Sequence, residues 1–400
     1  MRQLPVFMDS HSTTPVDSRV FEAMRPYFSE HFGNAASRTH AFGWRAAEAV
    51  EQARQQIGAL IGANARDIIF TSGATESNNL AILGAARVHP PHSRHILTVA
   101  TEHRAVLDPC RQLAREGFEI TYLPVRMDGV VDLDELVDAL RPGTVLVSVM
   151  AANNEIGVLQ PVAAMARLAR ERGILFHTDA AQAAGHVPFD VEAVPADLVS
   201  VTAHKIHGPK GVGALYVRRH TKLAPMLFGG GHERGLRSGT LNVPGIVGFG
   251  AAAALCLHDM TAHRHRLCAL RDRLDAGLHA RLDGVLVNGS MIERLPHNLN
   301  VSFAGIDGDS LLTGLSDIAV SSGAACSSAT KEPSHVLRAI GRTEDLARAS
   351  LRFGLCRFNT EEEVDYVLDK VTSLVGRLRQ GSAFDEFAGD ISESASEEYD

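Results

Sequence analysis

Seven short apolar, β-branched runs alternate with helix-forming stretches between residues 67 and 217, and this alternation constrains the fold more than any other feature of the chain. The runs are DIIFT (67–71), HILTVA (95–100), FEITYLPV (118–125), TVLVSVM (144–150), ILFHT (174–178), DLVSVTA (197–203) and GALYV (213–217). Segments 76–87, 104–116, 132–140 and 161–172 between them read as helices, as do 20–29 and 40–61 upstream. The pattern predicts an α/β fold with a mainly parallel seven-stranded sheet and helices on both faces. Sheets of this kind bind ligands beyond the carboxyl ends of their strands. Residues that follow each run are therefore the first candidates for chemistry.

After 217 the texture changes. A polar, glycine-rich loop, GGGHERGLRSGT (229–240), leads into a long helical stretch from about 244 to 281. Strand-like VLVNG, NLNVSF and LRFGL then mix with a helix at 364–379. This predicts a large domain over 15–260, a smaller α+β domain formed by 1–14 and 261–384, and a flexible acidic tail at 385–400. The tail holds seven acids and no base, so nearly all of the formal net charge of −8 resides in it. A nearly neutral body gives no sign of nucleic-acid binding. No apolar run is long enough for a bilayer, and MRQLPVFMDS has no apolar signal core. A cytoplasmic protein is expected. The five cysteines are odd in number and form no C-x-x-C pair, so neither a disulfide framework nor a metal site is expected.

Three segments carry candidate chemistry. TSGATESNN (71–79) follows a strand and opens a helix, whose free N–H groups and Thr75 hydroxyl suit an anion such as phosphate; a plain helix cap looks the same. In HTDAAQAAG (177–185), Asp179 ends a strand in apolar surroundings and needs a partner, either a protonated pyridine nitrogen or a backbone cap. Gln182 lies on the same face if a helix has begun. In VTAHKIHGPKG (201–211), Lys205 follows the next strand and is the first of only five lysines, at 205, 210, 222, 331 and 370. A surface lysine is the bland reading and a Schiff-base lysine the sharper one. Together, an anion-ready helix start, a strand-end acid and a lysine one strand–helix–strand step later match the fixed parts of a pyridoxal-phosphate site. His103, after HILTVA, lies at the same sheet edge, where it could stack on a ring and move protons or simply cap a helix. Cys326 sits in SSGAACSS, a Ser/Ala/Gly run that suits an exposed loop thiol rather than a core cysteine. Cys256 and Cys268 lie in the long helix, and these two with Cys110 and Cys356 read as structural.

The chain resembles the group I cysteine desulfurases, pyridoxal-phosphate enzymes of fold type I, from about Phe7 to Arg379. The resemblance is carried by STTPVD (12–17), FGNAAS (32–37), TSGATES (71–77), TEHRAVLD (101–108), NNEIGV (153–158), HKIHGPKG (204–211), GGGHERGLRSGT and SSGAACSS (321–328). It implies conversion of L-cysteine to L-alanine, with sulfur passed to Cys326 as a persulfide. A sulfur-acceptor protein for iron–sulfur cluster, thio-cofactor or tRNA synthesis would be the partner, and the enzyme would be a homodimer. It further implies Lys205 as the Schiff-base lysine and Asp179 at the pyridine nitrogen. Gln182 would face the ring hydroxyl and His103 would stack on the ring. Ala74, Thr75, Thr202 and His204 would hold the phosphate, with Thr240 supplied by the partner subunit. Arg352, Asn34 and Asn154 would bind the substrate carboxylate. Ala151, Ala152, His207, Ala324 and Cys356 depart from the usual pattern, and the acidic tail differs from the housekeeping C-terminus. A selenocysteine lyase, another aminotransferase of the fold, or a sulfur carrier without catalysis are the rival readings; the first two need no loop thiol.

Overall fold

The computed structural model describes residues 4–90, 94–322 and 332–396, with side chains as far as 381. Cys326 lies outside the described residues. The strands are β1 (Val6–Phe7), β2 (Ile68–Thr71), β3 (His95–Val99), β4 (Glu119–Leu123), β5 (Thr144–Ser148), β6 (Leu175–Asp179), β7 (Leu198–Thr202), β8 (Gly213–Val217), β9 (Val285–Val287), β10 (Asn298–Phe303), β11 (Ile318–Ala319) and β12 (Ser350–Gly354).

The predicted seven-stranded sheet forms in the order β2-β8-β7-β6-β5-β3-β4. All its pairings are parallel except the two made by β8, which is antiparallel to both β2 and β7. Every residue of β2, β3, β5, β7 and β8 is buried. Helices cover both faces, which is why the sequence shows continuous apolar runs here rather than alternation. One apolar cluster packs Ala46–Ile61 and Val243–Cys256 against one face, and a second packs Leu80–Ala86 and Val106–Leu113 against the sheet.

A three-stranded antiparallel sheet, β12-β10-β9, and the two-stranded parallel pair β1-β11 make up the rest. Val6 and Met8 share an apolar cluster with Leu267–Leu278, β10, β12 and Val364–Val375. The helix Val243–Arg281 thus serves two clusters, its first half one and its second half the other. It is the one helix among the described residues long and apolar enough to cross a membrane, and half of that apolar window is buried within the protein. The last helix begins at Glu361 and runs to Ser396, so the backbone of the acidic segment is helical where a helix ending near 379 was expected. Residues 397–400 lie outside the described ones.

Candidate active site

β2 through β7 end at one edge of the sheet, and β8 begins there, with Gly213 opposite both Thr71 and Thr202. A cleft of about 650 Å³ opens at this edge. Residues from behind β2, β3, β5, β6 and β7 line it together, although they lie far apart in sequence.

The helix Ala74–Ala86 opens onto the cleft. Its N-cap is Gly73, at φ 155°, with no side-chain cap on the first turn. Most other helices of the chain are capped by Asp, Asn, His, Ser or Thr side chains. The N–H groups at Ala74 and Thr75 are thus left facing a cavity, an arrangement that suits phosphate. Glycine is needed on both sides of this corner: a Cβ on Gly213 would come within 2.6 Å of Gly73 Cα. Thr202, ending β7, and His204 complete this wall. Thr202 Oγ1 donates to the Val212 carbonyl at 3.3 Å. Burial first, then neighbouring Lys205, push the His204 imidazole down to about 4.

Asp179 is the last residue of β6. One carboxylate oxygen accepts from the Ala181 N–H at 2.9 Å and the other from Asn78 Nδ2 at 2.6 Å. The backbone cap is therefore real, but it uses only part of the carboxylate's capacity. Asn78 also lines the cleft, and its own Oδ1 is buried without a partner. Lys205 closes a single 3-10 turn after β7, and its Nζ donates to the carbonyls of His11 and of Ser12, the latter at 2.9 Å. Lys210 lines the cleft too, from a more exposed position. His103 caps the helix Arg104–Arg115, its Nδ1 accepting from the Ala105 N–H at 3.0 Å. In the neutral ring that bond puts the proton on Nε2. Burial holds the imidazole below its ordinary pKa. Cap and cleft residue are one and the same here.

Gln182 lines the cleft but not from a helix: residues 181–183 form a turn, and the amide is held on both sides by His11, 171 positions away. Asn154 also lines the cleft. Arg352 does not. It is buried behind the wall, donating to the Asn154 carbonyl (3.0 Å), Asp9 (2.8 Å) and Ser12 Oγ (2.7 Å), with Nε left unpartnered. Asn34 and Thr240 are exposed and away from the cleft within one chain. Sequence reasoning missed His11, Ser12, Asn78 and Met150 as lining residues. Ser12 opens the STTPVD segment and His11 precedes it, while Asn78 lies in TSGATESNN.

The glycine-rich loop is fastened from this side as well. Glu233 accepts from the two terminal guanidinium nitrogens of Arg54 at 2.8 Å and from the Phe70 N–H at 2.7 Å, while Arg237 pairs with Glu76 at 2.8 Å. Glu233 and Arg54 are largely buried. Removing one partner strands the other charge. Glu233→Ala is expected to lower the unfolding free energy by about 3 kcal/mol, measured by urea titration; a change under about 0.5 kcal/mol would contradict a structural ion pair.

The model of the Aminotransferase class-V family matches residues 6–367. The chain belongs to the class-V aminotransferases. Members of this family depend in general on pyridoxal phosphate. A protein of Anaeromyxobacter sp. (strain Fw109-5) named cysteine desulfurase IscS is 57% identical over 382 residues, covering 95% of each chain. A human cysteine desulfurase is 51% identical over 388 residues, 96% of this chain and 85% of that one. Among solved structures, a NifS-like protein superposes with a TM-score of 0.87 at 39% identity, covering 93% of this chain and all of the other. A second, SspA in complex with cysteine, gives 0.78 at 34% identity over 89% of this chain and all of the other. This class-V chain therefore shares fold and sequence with enzymes that act on cysteine.

Proposed function

We propose that this class-V chain is a cysteine desulfurase that converts L-cysteine to L-alanine and passes the sulfur to Cys326. The observation that carries the reading is the cleft itself: an uncapped helix start, a strand-end aspartate and a lysine converge on one cavity. These residues fit pyridoxal phosphate, with Ala74, Thr75, Thr202 and His204 at the phosphate and Asp179 at the ring nitrogen. Lys205 would hold the aldehyde. When bound, the cofactor supplies an electron sink for the electrons released at the substrate Cα.

The chain's own residues do the rest. The Asp179 carboxylate would hold a proton at the ring nitrogen. Lys205 would serve as the base that takes the proton from the substrate Cα. His103, with its proton on Nε2, relays protons at the substrate sulfur. Asn154 is assigned to the substrate carboxylate, and Arg352 supports it from behind the wall by bracing the Asn154 backbone and the Ser12 hydroxyl. Asn34 is assigned to the same carboxylate. The Cys326 thiolate attacks the substrate sulfur, the carbon–sulfur bond breaks, and Cβ takes a proton to give alanine. The products are one alanine and one Cys326 persulfide, with no external oxidant. Equal amounts of alanine and protein-bound sulfane sulfur, formed from cysteine in a single turnover, test the assignment. Alanine without bound sulfur would defeat it.

The proposal includes a homodimer, a cytoplasmic location, a sulfur-accepting protein partner, and a small domain made of residues 1–14 with 261–384. For the dimer, support comes from the segment 28–44. Phe28, Phe32, Phe42 and Trp44 are all exposed, and the Phe32 and Phe42 rings lie 5.2 Å apart beside Asn34. Exposed aromatics of this kind suit an interface, which would carry Asn34 towards a partner's cleft, as Thr240 would be carried. Phe32→Glu with Trp44→Glu is expected to shift the protein to monomer in sedimentation velocity and to lower alanine formation at least about tenfold, because a charge is buried unpaired on association. A fully active monomeric wild type would contradict the dimer.

A further inference from the structure

Three imidazoles meet beside the cleft. The His11 and His297 ring centroids lie 4.5 Å apart, and His297 stacks on His186 at 4.0 Å. Among the described residues no group of His, Cys, Asp or Glu is arranged to hold a metal, and the hydrogen bonds around His11 give it a different task.

Those bonds fix every proton in a line that ends at Gln182. The Gln182 side-chain atom 3.0 Å from the His11 carbonyl must be nitrogen, because a carbonyl only accepts. The other amide atom is then oxygen, and it lies 3.1 Å from His11 Nδ1. His11 must therefore carry its proton on Nδ1. The opposite nitrogen, Nε2, is then an acceptor, and it faces Asn298 Nδ2 at 3.0 Å. Asn298 is fixed in turn: Nδ2 also donates to the Glu155 carbonyl at 3.1 Å, and Oδ1 accepts from Arg294 at 2.9 Å. The line runs from Arg294 through Asn298, at the start of β10, to His11 and Gln182. It leaves the second N–H of Gln182 for the cleft that this residue lines.

We propose that His11 is a positioning residue that locks Gln182 as a hydrogen-bond donor towards the ring oxygen of pyridoxal phosphate. The inference rests on the cofactor reading above. It requires a neutral His11, since a proton on Nε2 would set two donors against each other at Asn298. The charged groups that bear on the ring, Arg352 and Lys205, are both cationic, and His186 and His297 are the other imidazoles beside it. Burial first, then Arg352, hold His11 well below its ordinary pKa.

The readout is the visible absorbance of the holoenzyme titrated against pH. The ring oxygen and the lysine nitrogen share a proton that leaves as pH rises. Once it has left, the oxygen carries its full negative charge and gains most from a donated N–H. A donor at Gln182 therefore lowers the titration midpoint, and loss of the donor raises it. His11→Leu keeps roughly the side-chain size and the backbone carbonyl, but it removes the Nδ1–H that holds the amide oxygen, so the Gln182 amide is anchored at one end only. It is expected to raise the midpoint by about one pH unit, a tenfold change in proton affinity. His11→Asn can place an N–H near the Nδ1 position and is expected to leave the midpoint in place. Gln182→Leu should raise it as His11→Leu does, and the two together should add nothing further. If His11→Leu does not fold, His11→Ala carries the same comparison. Cofactor released into alkali is measured in parallel. A wild type that releases one equivalent, with midpoints that do not move in the Leu and Ala variants, overturns the role of His11 alone. A wild type that releases none overturns the cofactor reading and this inference with it.

Discussion

Lys205→Ala is expected to abolish borohydride-stable attachment of pyridoxal phosphate and to cut alanine formation by at least about 10³-fold. The reason is placement. Lys205 leaves β7 in one tight turn, and its Nζ is drawn to the His11 and Ser12 carbonyls at the cleft wall. Lys222 and Lys370 do not line the cleft, and Lys331 lies outside the described residues. Lys210 does line it, so scarcity of lysine in the sequence does not by itself single out Lys205. Lys210→Ala is the control. It is expected to keep the covalent attachment, because that side chain is exposed and lies past the Gly-Pro turn, five residues beyond the strand-end position. Mapping the reduced adduct by peptide mass separates the two lysines. An adduct that persists on Lys210 in Lys205→Ala would refute the assignment.

Cys326→Ser is expected to divide the reaction. The cofactor needs only the cleft, so the variant should keep its yellow colour and still change its spectrum when cysteine is added. Serine nearly matches cysteine in size, but its hydroxyl is a poor nucleophile towards sulfur at neutral pH. Alanine release from cysteine should therefore fall by at least about 10²-fold. Cys110, Cys256 and Cys356 cannot substitute, because they are buried. Burial pushes the Cys110 thiol up to about 12 and the Cys256 thiol up to about 11, far from the thiolate that sulfur transfer requires. Wild-type alanine release in Cys326→Ser would make the Cys326 thiol dispensable and leave a general pyridoxal lyase.

The sheet was legible in the sequence for a physical reason. Strands covered on both faces must be apolar throughout, and β3, β5, β7 and β8 are buried along their whole length. The same reason hides direction: a buried antiparallel strand such as β8 reads like its parallel neighbours. β1 and β11 have two residues each and exist only because they pair with one another. The helices Gly308–Thr313, His335–Ala339 and Glu344–Arg348 are too short to show a period. Within the cleft, Asp179, His103 and Lys205 were legible because each directly follows or ends a strand. Gln182 would share a face with Asp179 only if a helix began there; the segment is a turn, and His11 holds the amide. His11 could not be singled out among 19 histidines, since its partners Gln182 and Asn298 lie 171 and 287 positions away. Arg352 pointed to the substrate by resemblance, yet in the fold it braces Ser12 and Asn154 from behind the wall.

The most direct test of the central claim follows the sulfur atom. The holoenzyme is mixed with one equivalent of sulfur-labelled L-cysteine, alkylated without reductant, digested and mapped, with alanine measured in the same sample. The expected result is one alanine for each labelled sulfur, with the label on the peptide that contains Cys326 and lost on treatment with a thiol. Alanine formed with the label on another cysteine, or no alanine from a fully loaded enzyme, would contradict it.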